Sequence, residues 1–100
     1  MLEKSVEQYL RKQVVARGGL CVKMDTEKGI PDRLVLTADG RHCFVELKQP
    51  AGRLSPIQIE YHKRLRQRKH KVFVLWDYNE VDKFLADYLD RGKDYDAQEG

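Results

Sequence analysis

Val6, Tyr9, Leu10 and Val14 recur at near-helical spacing along the first residues of the chain. That is the period of a helix burying one stripe, and Gly18-Gly19 ends it, so the spacing predicts a helix over residues 3–17. The apolar run LCVKM (20–24) predicts a short strand. The polar stretch DTEKGI (25–30) reads as a loop, and Pro31 holds Ile30 extended, because a residue before proline is pushed out of the helical region. Two further strands, RLVLTA (33–38) and HCFVELK (42–48), flank Asp39-Gly40, a strong hairpin signal between apolar runs. Ser55-Pro56 opens a second helix. Serine caps it, proline takes the first helical position and Gln58 completes a capping box. This helix is expected to run to about Arg68 with Ile57, Tyr61 and Leu65 on its buried side. VFVLW (72–76) is apolar throughout, the pattern of a strand covered on both faces and central in a sheet. Asn79 is expected to cap a last helix, whose stripe of Val81, Phe84, Leu85, Tyr88 and Leu89 is clean and which Gly92 stops.

The predicted order is therefore α-β-β-β-α-β-α. The link from the third strand through the second helix to the fourth is long enough for a right-handed parallel crossover. The fold class is α/β: a mixed four-stranded sheet, containing an antiparallel hairpin and one parallel strand, flanked by helices. With 100 residues, one domain is expected, covering residues 1–92, with a frayed acidic tail at 93–100.

Composition narrows the function classes. No apolar run approaches the roughly 20 residues needed to span a bilayer, and MLEKSVEQYL lacks the apolar core of a secretory signal. Cys21 and Cys43 lie in separate apolar stretches outside any CxxC pair, as free thiols of a reducing compartment would, so a cytoplasmic location is expected. His42, His62 and His70 show no ligand spacing with the cysteines, which argues against zinc. The net charge is only +3, but seven acids and three Lys/Arg lie from residue 79 onward, leaving the rest of the chain basic. Between Ser55 and Lys71, six Lys/Arg face a single acid, Glu60. A basic body is the electrostatic footprint of a phosphate-backbone binder.

The chemistry lies in two short stretches, KGIPD (28–32) and FVELK (44–48). Residues i and i+2 of a strand share a face, so Glu46 and Lys48 point the same way, about 6.6 Å apart along the strand. Cys43, Val45 and Leu47 point into the core. The hairpin register decides where Asp32 falls, because a slip of one residue flips every side chain. A strict two-residue turn at Asp39-Gly40 would set Asp32 opposite Leu47, on the wrong face. A turn one residue longer would set it opposite Lys48 and gather Asp32, Glu46 and Lys48 at the open end of the hairpin. A three-residue turn, or a bulge near Pro31, is therefore expected. Two carboxylates held that close repel unless a cation lies between them, and hard, oxygen-seeking Mg²⁺ or Mn²⁺ is the natural occupant. A lysine beside them can contact a phosphate or assist an attacking water. Such a site hydrolyses phosphodiesters. Taken singly, each of the three residues could be no more than part of a surface salt bridge. It is their combination with a basic helix that points to a nuclease.

The stretch GIPDRLVLTADGRHCFVELKQPAGRLSPIQIEYHKRL resembles the virus-type replication-repair nuclease domain, a branch of the PD-(D/E)xK superfamily. The resemblance covers about residues 3–89. It rests on Pro31-Asp32 before a strand, Glu46-Leu47-Lys48 ending the next, and S-P-x-Q opening the following helix. It implies a restriction-endonuclease-like αβββαβα core and metal-dependent cleavage of DNA. Asp32 and Glu46 would bind the metal together with the carbonyl of Leu47, and Lys48 would assist the water. Family members also carry a glutamate on the first helix. Glu3 and Glu7 both qualify, and Glu7 is preferred because Glu3 lies where the helix end should fray. Gln58 matches a glutamine of the motif set and equally well caps Ser55; both roles are compatible.

Lys23, Arg53, Lys63, Arg64, Arg66, Arg68 and Lys69 are candidates for DNA-backbone contacts, which position without reading sequence. Small stand-alone members of the family, typical of phage genomes, resemble Holliday-junction resolvases and act as homodimers. Cutting two strands of a junction calls for two sites about a twofold axis. The last helix and the exposed parts of the first are candidate dimer surfaces. The alternative reading is a non-catalytic DNA-binding module on the same fold, and a third is a partner-binding domain whose carboxylates only make salt bridges.

Overall fold

A computed structural model describes residues 3–92; the expected tail at 93–100 lies outside the described residues. Three helices and four strands follow one another in the predicted order: α1 (Glu3–Ala16), β1 (Leu20–Lys23), β2 (Arg33–Leu36), β3 (His42–Leu47), α2 (Pro56–Gln67), β4 (Val72–Leu75) and α3 (Tyr78–Phe84). α3 continues through a wider π-helical turn at Leu85–Asp90.

The strands form one sheet in the order β1-β2-β3-β4, antiparallel except for the parallel β3–β4 pair. The crossover through α2 is thus as expected. The apolar run VFVLW predicts a central strand, but β4 is the edge of the sheet. It is fully buried nonetheless, because helices cover it from both sides. Full burial, rather than a central position, accounts for its unbroken apolar pattern.

Residues directly opposite one another point to the same side of a sheet, so the register divides the strand residues into two sets. Val35, Cys43, Val45, Leu47, Phe73 and Leu75 face α1 and α3 and form the main core with Val6, Leu10, Val14, Val81, Phe84, Leu85 and Tyr88. Phe73 meets Phe84 edge-on at 4.9 Å between ring centroids, a favoured aromatic geometry. Glu46, Phe44, Val72 and Val74 face α2 on the other side. That side is less completely covered, and Leu20 and Val22 of β1 remain exposed there.

Two local expectations are corrected. The residue of α2 that is buried is His62, while Ile57 is half exposed. Ile57 and Tyr61 turn instead toward the loop of residues 25–30. Gly29, at φ +87°, packs against Ile57, where an added Cβ would lie 2.6 Å from Ile57 Cγ2, and Tyr61 Oη donates to Glu27 Oε2 at 3.3 Å. The last helix is capped by Asp77, not Asn79: Asp77 is extended and its carboxylate accepts from Glu80 N–H at 2.9 Å. The helix therefore starts two residues earlier than its apolar stripe implies. Gly92, at φ +62°, ends it as expected.

Candidate active site

The hairpin turn determines the site. Thr37 N–H donates to Arg41 carbonyl at 2.8 Å, which leaves Ala38, Asp39 and Gly40 as the turn. This is the expected three-residue turn, and it closes one residue earlier than a register pairing Asp32 with Lys48 requires. Arg33 consequently pairs with Val45 and Leu34 with Phe44. Continued by one step, the register brings Asp32 opposite Glu46 itself rather than opposite Lys48. The parity is the one the chemistry needs, and Asp32, Glu46 and Lys48 belong to the same face at the open end of the hairpin.

Each carboxylate is fixed differently. Asp32 Oδ2 accepts from the backbone N–H of Leu47 at 3.0 Å, tying the Pro31-Asp32 segment to the strand that carries Glu46 and Lys48. Glu46 is 1% exposed. Its Oε2 accepts from Gln58 Nε2 at 3.0 Å and lies 3.9 Å from Lys48 Nζ. Its Oε1 is buried and makes no hydrogen bond among the described residues. A buried carboxylate is costly unless its charge and lone pairs are satisfied. One amide donor and one ammonium beyond hydrogen-bond distance leave Glu46 under-compensated at Oε1.

Gln58 both caps α2 and bonds Glu46. Its Oε1 accepts from Ser55 N–H at 2.9 Å and Ser55 Oγ accepts from Gln58 N–H at 3.2 Å, the reciprocal capping box. The same amide group then points its nitrogen at Glu46. The start of α2 is thereby registered against the acidic cluster.

His62 is a member of the site that the sequence motifs do not include. It is 1% exposed, and its Nε2 lies 3.8 Å from Glu46 Oε1. The signal for it is its spacing: residues four apart share a helix face, so a helix that aims Gln58 at the sheet aims His62 there too.

The structure does not bring every candidate to this cluster. Glu7 pairs with Arg33, Oε2 to Nε at 2.9 Å. Arg33 stands opposite Val45, on the α1 side of the sheet, so Glu7 is engaged across the sheet from Glu46. The side chain of Glu3 lies outside the described residues. Lys23 stands opposite Arg33, also on the α1 side, away from the face that carries Glu46. Among the arginines, Arg66 donates from Nη2 to Val72 carbonyl at 2.9 Å and is half-buried, so it braces the α2–β4 connection. Arg53, Lys63, Arg64, Arg68 and Lys69 are exposed. Arg64 and Arg68 line an open groove with Tyr61, Leu65 and Glu27. Burial, and then the Glu27 charge beside it, raises the Tyr61 phenol above its ordinary value.

The donor set suits a hard divalent ion. It offers two carboxylates and a strand-end carbonyl, all oxygen, with a buried oxygen of Glu46 lacking any partner among the described residues. Among the described residues no group of three His, Cys, Asp or Glu side chains is disposed to hold an ion, so any ion here depends on the Leu47 carbonyl, water or a substrate phosphate for the rest of its shell. Among the described residues, no helix is long and apolar enough to cross a membrane.

No family model matches the chain. A protein named "Putative nuclease p44" from Acyrthosiphon pisum secondary endosymbiont phage 1 is 39% identical over 75 residues, which is 73% of this chain and 81% of that protein. A solved structure described as a VRR_NUC domain superposes with a TM-score of 0.78 at 34% identity, covering 86% of this chain and 96% of that one. The chain therefore belongs to the virus-type replication-repair nuclease (VRR_NUC) domain family.

Proposed function

We propose that the protein is a Mg²⁺- or Mn²⁺-dependent endonuclease that hydrolyses phosphodiester bonds in structured DNA, acting as a Holliday-junction resolvase-like homodimer. The observation that carries this reading is the convergence of Asp32 and Glu46 on one face at the hairpin mouth, with Lys48 Nζ 3.9 Å from Glu46. Asp32, Glu46 and the Leu47 carbonyl would hold the ion. Once bound, it would supply Lewis-acid polarisation of the scissile phosphate and a more acidic water.

The protein's own groups do the rest. The Leu47 N–H holds the Asp32 carboxylate against β3, and Gln58, reaching from α2, holds Oε2 of Glu46. Lys48, with its side chain 19% exposed, keeps its ammonium at the edge of the cluster, where it can hold a non-bridging phosphate oxygen and stabilise the developing negative charge. Burial of Glu46 excludes bulk water, so these charges act on one another through a low local dielectric. Arg53, Lys63, Arg64, Arg68 and Lys69 would take DNA phosphates as the duplex arms run past α2. A junction presents two scissile strands related by a twofold axis, which a symmetric pair of protomers, each with its own complete cluster, would match.

The test is cleavage of a four-way junction, a duplex and a flap with Mg²⁺, with Mn²⁺ and with EDTA, alongside a sedimentation measurement of oligomeric state. Cutting of the junction that EDTA and Asp32→Ala both abolish, by a dimer, is the expected result. Binding without cutting would point to the non-catalytic DNA-binding module instead. Neither binding nor cutting would contradict both.

A further inference from the structure

The least explained group in the fold is His62. A fully buried imidazole ordinarily finds a hydrogen-bond partner, because burying an unpaired polar group is costly. Here neither ring nitrogen of His62 has one among the described residues. The facing polar atom, Glu46 Oε1 at 3.8 Å, has none either. The two unsatisfied atoms are separated by a gap about 0.6 Å beyond ordinary hydrogen-bond reach.

Nothing else on α2 explains why a histidine occupies this position. If the site were only a packing position, a leucine would fill it without the polar penalty. The gap is small enough for a minor rotation of either side chain to close it. Glu46 is the group that must adopt one orientation to hold an ion, and its Oε2 is already engaged by Gln58. The oxygen left over is the one opposite His62.

We infer that His62 is a positioning residue for Glu46: its Nε2–H donates to Glu46 Oε1 when the carboxylate takes up a divalent ion, fixing the carboxylate plane. This inference rests on the proposed ion site. The helix then grips Glu46 at two points one turn apart, Gln58 on Oε2 and His62 on Oε1. Partners of this kind behind metal-ligating groups are worth about 10–100-fold in metal affinity.

The test is Mn²⁺ binding by calorimetry to the full chain and to His62→Leu and His62→Gln, with urea unfolding of each. His62→Leu should unfold at the same or higher urea concentration, because an apolar side chain replaces an unpaired polar one, yet bind Mn²⁺ about tenfold or more weakly. His62→Gln, which keeps a donor, should recover most of that loss. In the unsubstituted protein, titration with diamagnetic Mg²⁺ should shift the His62 ring nitrogen resonances toward a hydrogen-bonded state, a readout independent of whether either variant folds. Equal Mn²⁺ affinity in His62→Leu, or ring resonances unmoved at saturating Mg²⁺, overturns the inference while leaving the ion site standing. An unsubstituted protein that takes up no Mn²⁺ overturns the ion site and the inference together.

Discussion

Gln58 joins Ser55 to Glu46 through one amide group, its oxygen accepting from Ser55 N–H at 2.9 Å and its nitrogen donating to Glu46 Oε2 at 3.0 Å. Helix capping and active-site geometry are therefore not independent here. Loss of the cap alone should cost about 1 kcal/mol, and loss of the donor removes an outer-shell hydrogen bond to a proposed ion ligand. Gln58→Ala should thus lower unfolding free energy by about 1–2 kcal/mol and weaken Mn²⁺ binding by about tenfold. Urea titration and calorimetry measure the two effects separately. A variant that loses stability but binds Mn²⁺ normally would show that Gln58 only caps.

Lys48 gives the opposite signature. Its ammonium lies 3.9 Å from Glu46 Oε2 and adds positive charge where a divalent ion is proposed. Lys48→Met should leave Mn²⁺ affinity unchanged or tighter while cutting the cleavage rate by about 10²–10³-fold, the scale expected for removing one group that stabilises transition-state charge. Single-turnover cleavage under saturating Mn²⁺ reads this directly. Retention of full activity would remove Lys48 from the mechanism.

The loop before Asp32 is held by the backbone geometry of Gly29 as well as by the Tyr61–Glu27 hydrogen bond. Gly29 sits at φ +87°, and a Cβ there would fall 2.7 Å from the Ile57 carbonyl oxygen. Gly29→Ala combines a left-handed backbone with a clash against backbone, so a loss of about 1–3 kcal/mol is expected. Equilibrium denaturation should show it, and an unchanged midpoint would mean that the loop does not pack on α2 as described.

These three positions also mark how far the sequence can be read. The elements and their order are legible because α1, β3 and α3 carry clean periodicities and the turn and cap residues agree with them. The parity that unites Asp32 with Glu46 is legible as a condition, since an odd-numbered turn or a bulge near Pro31 satisfies it, but the sequence does not say which three residues make the turn. Thr37 decides that: its N–H and Oγ1 both bond Arg41, which closes the hairpin one residue earlier. The inward face of α2 is misleading because Ile57, Tyr61 and Leu65 look like a core stripe. Their burial is shared with a loop whose path no local pattern reveals, while the polar Gln58 turns inward to bond Glu46 and His62, one turn on, is buried beside it. Glu7 likewise cannot be placed from sequence, because its partner Arg33 lies 26 residues away along the chain. β4 reads as central because sequence reports burial, not position in the sheet.

The exposed cations of α2 and of the turn that follows it make a prediction about salt. If Lys63, Arg64 and Lys69 each neutralise a phosphate, replacing all three by alanine should flatten the slope of log affinity against log salt by about 0.9 for each phosphate no longer neutralised. Arg66→Ala should behave differently. Because Arg66 braces Val72 carbonyl at 2.9 Å, it should lower stability by about 1–3 kcal/mol and leave the slope unchanged in the folded protein. Fluorescence anisotropy with a labelled junction across a salt series separates the two. An unchanged slope in the triple variant would move the DNA path off this helix.

The central claim is that Asp32 and Glu46 share one divalent ion at the mouth of the hairpin. Crystals of Lys48→Met grown with a four-way junction and Mn²⁺, measured at a wavelength where manganese scatters anomalously, test it most directly. The account predicts an anomalous peak about 2.0–2.3 Å from a carboxylate oxygen of each residue and from the Leu47 carbonyl. Saturated crystals with no peak between the two carboxylates, or with the ion bound elsewhere, would contradict it.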